Sequence, residues 1–345
     1  MTAKPKLVIG ANGFLGSHVT RLLVEDGAQV RVMVRPNANT RSIDDLEVTR
    51  FQGDVFDTAT VRAAMDGCDD VYYCVVDTRA WLQDPAPLFR TNVEGLRNVL
   101  DVAIEKSIAA DLHRFVFTST YATVDRRHGQ VATESDRILP DRRVTAYVQS
   151  RVKAEDLVMR YVAEHGLPAV AMCVSTTYGS GDWGRTPHGA FIAGAVFGKL
   201  PFQMNGIQLE VVGVDDAASA MILAAERGRN GERYLISERM IAIKDVVRMA
   251  ADEAGMPPPQ RSISVPVLYA LAVLGSLRAR LTRKDAELSL ESVRMMRAEA
   301  DVDHGKAVRE LGWQPRPVEE SICEAARFWA AMRKTSDKSE ARQSE

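Results

Sequence analysis

Two groups of residues have the types and spacing to do chemistry, and the first lies in "AYVQSRVKAE". There Tyr147 is followed by Arg151 four residues on and by Lys153 six residues on. A phenol with a pKa near 10 works as an acid or base at neutral pH only with a positive charge beside it. On a helix, residue i+4 returns to the same face. Lys153, about 600° around at 100° per residue, falls roughly 120° off that stripe. A solvated tyrosine on a surface helix has the same local sequence, so the segment alone leaves both readings open.

The second group is "LVIGANGFLGSHV", where Gly10, Gly13 and Gly16 join an apolar run to an amphipathic one. Glycines at such a junction let backbone N–H groups approach a pyrophosphate at the positive end of a helix. Asn12, Phe14 and Leu15 belong to the same turn. The next apolar run, "QVRVMVR", ends in Arg35 where a carboxylate would hold the adenosine ribose of NAD. A cation there suits the 2′-phosphate of NADP, with Arg41 and Ser42 as helpers, so NADP (NADPH) is preferred and NAD stays open. "FQGDVFD" places Asp54 near an adenine amino group and Val55 against the ring.

The elements that must position these groups alternate. Strands are expected at "KLVIG", "QVRVMV", "EVTRFQ", "DVYYCVV", "RFVFTS" and "PAVAMCV", with helices between them. Such alternation predicts an α/β fold, a Rossmann-type doubly wound parallel sheet binding ligands at its carboxyl edge. The division expected is a dinucleotide-binding domain from 1–174 and 209–238. A smaller, mainly helical C-terminal substrate domain takes 175–208 and 239–334, and a polar disordered tail 335–345. "STTYGSGDWGRTPHGAF" reads as a loop over the sheet's active edge.

The bulk numbers narrow the function classes. With 44 basic and 46 acidic residues the net charge is −2, so no charge excess points to nucleic acid. Cys68, Cys74, Cys173 and Cys323 are far apart, and the six histidines are scattered; free thiols in a reducing cytoplasm and no metal site are expected. The N-terminus lacks the apolar core of a signal peptide. The longest apolar run, "VPVLYALAVLGSL", falls short of a bilayer span. Arg278, Arg280, Arg283 and Lys284 follow it, leaving a weak case for peripheral membrane contact through 265–284.

With these pieces in order, "GANGFLG", "GDVFD", "NVEGLRNVL", "RFVFTSTYATV", "YVQSRVKAE", "GVDDAASA" and "KAVRELGWQPRP" together resemble the extended short-chain dehydrogenase/reductase family. "VRVMVRP", "RAWLQDPAPLFRTNVEG" and "STTYGSGDWGRTP" look most like its dihydroflavonol-4-reductase-like group, including the hopanoid-associated sugar epimerase branch. The resemblance implies an NAD(P)-dependent oxidoreductase acting on CH–OH or C=O groups. It assigns Thr120, Tyr147 and Arg151 as catalytic, with Tyr147 the acid/base and Thr120 bonded to the same substrate oxygen. It places Val75, Val76, Thr118, Tyr147, Arg151, Val174 and Thr176 against the cofactor. The family has Lys where this chain has Arg151, and commonly Arg-Pro or Asn-Pro where it has Cys173 and Val174. Electrostatic support for the phenolate is expected to survive and proton relay to weaken. Asn92, Asp215 and Asp216 match family positions, with structural roles expected; the two aspartates would cap a helix.

Asp77, Trp81, Thr120, Tyr121, Tyr147, Tyr178 and Trp183, with Val76, are the expected substrate wall. Their character favours a bulky apolar or aromatic ketone, aldehyde or alcohol as the small-molecule substrate. The alternatives are a sugar epimerase/dehydratase, or a nucleotide-binding protein weakened by Arg151. A homodimer is the expected assembly.

Overall fold

The computed structural model describes residues 4–126, 129–138, 144–282, 284–296 and 301–343. Strand β1 (Lys6–Ile9) leads through the glycine turn into α1 (Phe14–Glu25), followed by β2 (Val30–Val34), β3 (Thr49–Gln52), α2 (Thr58–Met65) and β4 (Asp70–Tyr73). A π-helical turn at Arg90–Gly95 enters α3 (Leu96–Ala103); β5 (Arg114–Thr120), α4 (Ala146–His165) and β6 (Ala169–Val174) complete the first half. Then come β7 (Thr176–Tyr178), α5 (Gly189–Val196), β8 (Gln203–Met204), β9 (Gln208–Gly213), α6 (Val214–Arg227), β10 (Arg233–Ile236) and β11 (Arg239–Ala242). The chain ends with α7 (Ile243–Glu253), β12 (Ser262–Ile263), α8 (Val265–Thr282), α9 (Gly305–Leu311) and α10 (Val318–Gln343).

Seven strands form one parallel sheet in the order β10-β6-β5-β4-β1-β2-β3. β4, β5, β6 and β10 are buried along their whole length. This is why they read as continuous apolar runs, as strands covered on both faces must. The register aligns Ile9 with Met33 and Tyr73, Tyr73 with Phe117, and Thr120 with Val174. One edge of the sheet therefore collects the segments after residues 9, 34, 73, 117 and 174. One core layer packs α2, α3 and α4 against the sheet, and the other packs α1 and α6.

The expected domain boundaries shift in three places. β9 leaves the large sheet and joins β7 and β11 in a separate three-stranded sheet, although its apolar run looks like a Rossmann strand. Ala307, Leu311 and Trp313 pack in the core layer over α1 and α6, so the stretch around α9 closes the first domain. The Trp313 indole N–H donates to the Asp216 carbonyl at 2.8 Å. Residues 335–343, expected as a disordered tail, continue α10 as helix, where Lys, Glu, Ala, Arg and Gln are good helix formers; 344 and 345 lie outside the described residues.

The expected capping by Asp215 and Asp216 is also replaced. Gly213 is the N-cap of α6 and makes no side-chain cap, because both aspartates sit in the first turn. Asp215 meets His18 Nδ1 at 2.5 Å, and this bond holds its carboxyl below the usual range. Asp216 accepts from the Arg316 backbone N–H at 3.2 Å.

Candidate active site

The glycine turn is built by close approach. Gly10 has φ 84°, a left-handed conformation that glycine adopts without strain. A Cβ on Gly16 would lie 2.3 Å from the Gly10 carbonyl oxygen. Gly13 then starts α1 with neither a side-chain cap nor an acidic residue in the first turn, so its positive end stays available to an anion. The Asn12 side chain donates to the Asn39 carbonyl at 3.3 Å, and Ser42 Oγ donates to the Asn12 carbonyl at 3.3 Å. These bonds tie the 39–42 loop to the turn. Arg35 and Arg41 are exposed there, and neither enters an ion pair among the described residues. Asp54 is half-buried and accepts from the Phe56 N–H at 3.2 Å, while Val55 is buried beside Gly95. Phe14 and Leu15 open α1, and Val75 and Val76 follow β4, all partly buried.

The tyrosine segment is not a wet surface. Thr145 caps α4, and Tyr147 and Arg151 are both buried, Arg151 completely. Burial pushes the Tyr147 phenol above its ordinary value, while the Arg151 charge and the Thr120 hydroxyl pull it back. Arg151 Nη2 donates to the Thr118 carbonyl, and the guanidinium lies 5.1 Å from the Phe117 ring centroid. Its Nε and Nη1 are buried without a partner. Burial draws Arg151 below the usual arginine value, which starts high enough to leave it charged. Lys153 faces away, 5.0 Å from the Phe89 ring.

Asn92, in the π-helical turn, has a sharper role than sequence reasoning gave it. Its Oδ1 accepts from the Asp77 N–H at 2.8 Å, and its Nδ2 donates to the Asp77 carbonyl at 3.0 Å and to Ser150 Oγ at 3.0 Å. Ser150 Oγ donates in turn to the Tyr147 carbonyl at 2.7 Å. Asn92 thereby fixes the end of β4 against the tyrosine helix. Glu155, one turn beyond Arg151, was missed altogether. It accepts from Ser119 Oγ at 2.5 Å and Thr123 Oγ1 at 3.1 Å, and pairs with Arg233 Nε at 2.7 Å. Helical spacing puts it one turn beyond Arg151, but nothing local names its partners at 119, 123 and 233.

The expected substrate wall divides. Tyr147 packs with Ala80, Leu88, Ala122, Val148 and Val152, and Val76 and Leu82 flank this apolar cluster. Asp77 is buried and paired with Arg79 at 2.6 Å, and Trp81 is partly exposed nearby in sequence. Tyr121 is buried with Val124, Cys173 and Leu235 under the Arg126 guanidinium, 4.6 Å from its ring. Tyr178 and Trp183 go to the second domain: Tyr178 lies in its core, and Trp183 meets Phe328 edge-on at 5.0 Å. Apolar packing by α10 claims both. Val174 ends β6 and Thr176 starts β7, with Ser175 Oγ between them buried and unpartnered.

A dinucleotide fits these residues. The close-packed glycine turn, the uncapped start of α1 and the two buried, unpartnered Arg151 nitrogens are groups of the kind that bind phosphate and ribose oxygens. Comparison with known proteins agrees, because the NAD dependent epimerase/dehydratase family matches residues 6–237.

The chain belongs to the NAD-dependent epimerase/dehydratase family.

As a member of this family it is an NAD(P)-dependent oxidoreductase acting on CH–OH or C=O groups. It is 29% identical over 329 residues, 93% of each chain, to a Synechocystis protein that carries the dihydroflavonol 4-reductase name provisionally. It is 24% identical over 326 residues, 94% of this chain and 97% of the other, to sterol demethylase protein B of Methylococcus capsulatus. The solved structure of gox2253 superimposes with a TM-score of 0.81 at 31% identity, covering 95% of this chain and 98% of that one.

Proposed function

We propose that this enzyme is an NADPH-dependent carbonyl reductase, working reversibly as an alcohol dehydrogenase, on a bulky apolar ketone, aldehyde or alcohol. The observation that carries the reading is the apolar cluster of Ala80, Leu88, Ala122, Val148 and Val152 around Tyr147. Apolar surroundings of this kind favour a hydrocarbon or aromatic body over a polyhydroxylated sugar. The names borne by the two relatives, a flavonoid reductase and a sterol-processing protein, support the same class of substrate.

In the reduction, Tyr147 donates its phenolic proton to the carbonyl oxygen, and the Thr120 hydroxyl donates a hydrogen bond to that oxygen. The nicotinamide, when bound, supplies the hydride. Arg151 stabilises the phenolate left behind and offers its unmatched donors to the cofactor ribose. Gly10, Gly13 and Gly16 cradle the pyrophosphate, and Arg35, with Arg41 beside it, selects the 2′-phosphate. Asn92 holds the Tyr147 helix in register.

The test follows absorbance of the reduced nicotinamide across a panel of apolar ketones, aldehydes and alcohols with NADPH and NADH. Stoichiometric NADPH oxidation with an apolar carbonyl is expected. Turnover of a nucleotide sugar with no net change in cofactor absorbance would instead favour an epimerase.

A further inference from the structure

Exposed large hydrophobic side chains are not scattered over this molecule. Of the nine among the described residues, six lie between Val267 and Leu288: Val267, Val273, Leu274, Leu277, Leu281 and Leu288. Five belong to α8, and Leu281 is 86% exposed. At about 100° per residue these five fall within an arc of roughly 120°. Leu268, Ala272 and Ala279 are buried on the opposite side.

Leu268 and Ala272 pack into the second-domain core, and Ser276 Oγ accepts from the Leu290 N–H at 3.0 Å. The helix is therefore held lengthwise along the domain with one apolar face outward. It is long and apolar enough to cross a membrane by length and composition, but these ties fit it to lie in a membrane surface. Arg278 and Arg280 fall at the two borders of the outward face, about 20° and 220° around the helix when Val267 is set at zero. Both are exposed, as is Lys284 just beyond, and none enters an ion pair among the described residues. The acidic residues that follow, Asp285 and Glu287, lie past the helix end, outside the apolar face. Asp285 accepts from the Gln83 N–H at 3.0 Å.

The same helix touches the segment beside the Tyr147 cluster. Gln83 Nε2 donates to the Ala279 carbonyl at 3.2 Å, and the neighbouring Leu82 flanks the Tyr147 cluster. A cleft of about 480 Å³ lined by Arg79, Leu82, Gln83, Asp84, Pro87 and Asp285 lies at this junction.

We propose that α8 seats the enzyme on an anionic lipid bilayer. Its outward leucines and valines enter the headgroup boundary, Arg278, Arg280 and Lys284 meet lipid phosphates, and the 79–87 segment is held at the membrane surface. Apolar area and basic borders together are what such monotopic binding requires. The inference goes beyond the reductase reading and is tested without turnover.

The experiment is flotation of the full chain with vesicles of phosphatidylcholine alone or mixed with phosphatidylglycerol. Binding to the mixed vesicles is expected, weakened by salt. Leu274→Glu with Leu277→Glu should lower the bound fraction at least about tenfold. Arg278→Gln with Arg280→Gln should erase the preference for anionic lipid. Thermal unfolding and NADPH binding by fluorescence check that each variant is folded; Leu281→Glu, at the most exposed position, serves if the double glutamate is not. Protein that stays unbound with both vesicle types overturns the proposal. So does a dimer, seen by light scattering, that Leu281→Glu dissociates while vesicles bind nothing, which would make the face a contact between copies.

Discussion

Arg151 and Glu155 are one turn apart on the same face of α4, both essentially free of solvent, and they are treated in opposite ways by their surroundings. Glu155 is enclosed by Ser119, Thr123 and Arg233, which supply it with two hydroxyl hydrogen bonds and a paired charge. Arg151 has one backbone carbonyl, one ring face and two nitrogens with no partner. Buried charges are costly unless paired and hydrogen-bonded, so a fold seeking only stability has no use for the second arrangement. Glu155 joins β5, β10 and α4 into one block. Arg151 is left with donors to spend on something the polypeptide does not supply.

The largest effect expected on the Arg151 side belongs to the group it serves. Tyr147→Phe should reduce kcat about 10³-fold, within the range for general acid catalysis. NADPH affinity, measured by fluorescence, should change by less than about twofold, because the phenol acts on the substrate oxygen. Unchanged kcat would remove Tyr147 from the chemistry and leave Arg151 only its role toward the cofactor ribose.

Next comes Glu155→Ala, which should act on stability. It leaves Arg233 buried and Ser119 and Thr123 without their acceptor, at a cost of about 3–5 kcal/mol read from denaturant unfolding. The folded fraction should keep kcat within a few-fold. Arg151→Met inverts the pattern: kcat falls about 10²-fold while unfolding stability stays within about 1 kcal/mol of the parent or rises. If both variants lost stability alike, the contrast between a structural and a functional charge would be gone.

Sequence pattern exposed these two residues unequally, and the reason is physical. Strands β4, β5 and β6 are legible because a parallel sheet covered on both faces needs continuous apolar runs, and the glycine turn because its close contacts exclude any Cβ. Tyr147 and Arg151 are legible through helical spacing. Glu155 depends on partners at 119, 123 and 233, and no local pattern announces a contact made across three elements. The same limit explains β9, whose "LEVVG" has the composition of a core strand but pairs with β7 and β11. It also explains Tyr178 and Trp183, aromatic residues in a loop, which α10 draws into packing. The apolar run of α8 supports only a weak case for membrane contact, because composition does not show which side of a helix is left uncovered.

A smaller effect tests the cofactor end of the same charge logic. Arg35 is exposed at the end of β2 and close enough to help lower the Asp77 carboxyl, whose depression comes from Arg79 and the Arg79 N–H acting against burial. Arg35→Ala should reduce kcat/KM with NADPH about tenfold and leave the NADH value within about twofold. Equal losses with both cofactors would show that Arg35 does not read the 2′-phosphate.

The smallest change in rate, and the most informative about Arg151, is expected from Arg151→Lys. A lysine keeps a positive charge near Tyr147 but is compact, and it loses the planar contact with Phe117. Burial lowers the pKa of an ammonium as it does that of a guanidinium. An arginine starts high enough to remain charged after the loss, whereas a lysine starts near 10.4 and enters the working range. With the parent, carbonyl reduction should be flat from about pH 6 to 9, since burial raises the Tyr147 phenol and keeps it protonated there. Alcohol oxidation, which needs the phenolate, should rise with pH over the same interval. In Arg151→Lys the reduction rate at pH 7 should fall only about threefold. It should then drop further as pH rises through the lysine's own value and the supporting charge disappears. Initial rates of both reactions against pH decide the matter. A variant faster than the parent, with the parent's pH profile, would mean that the arginine is a defect in the site and not the means by which a fully buried position holds its charge.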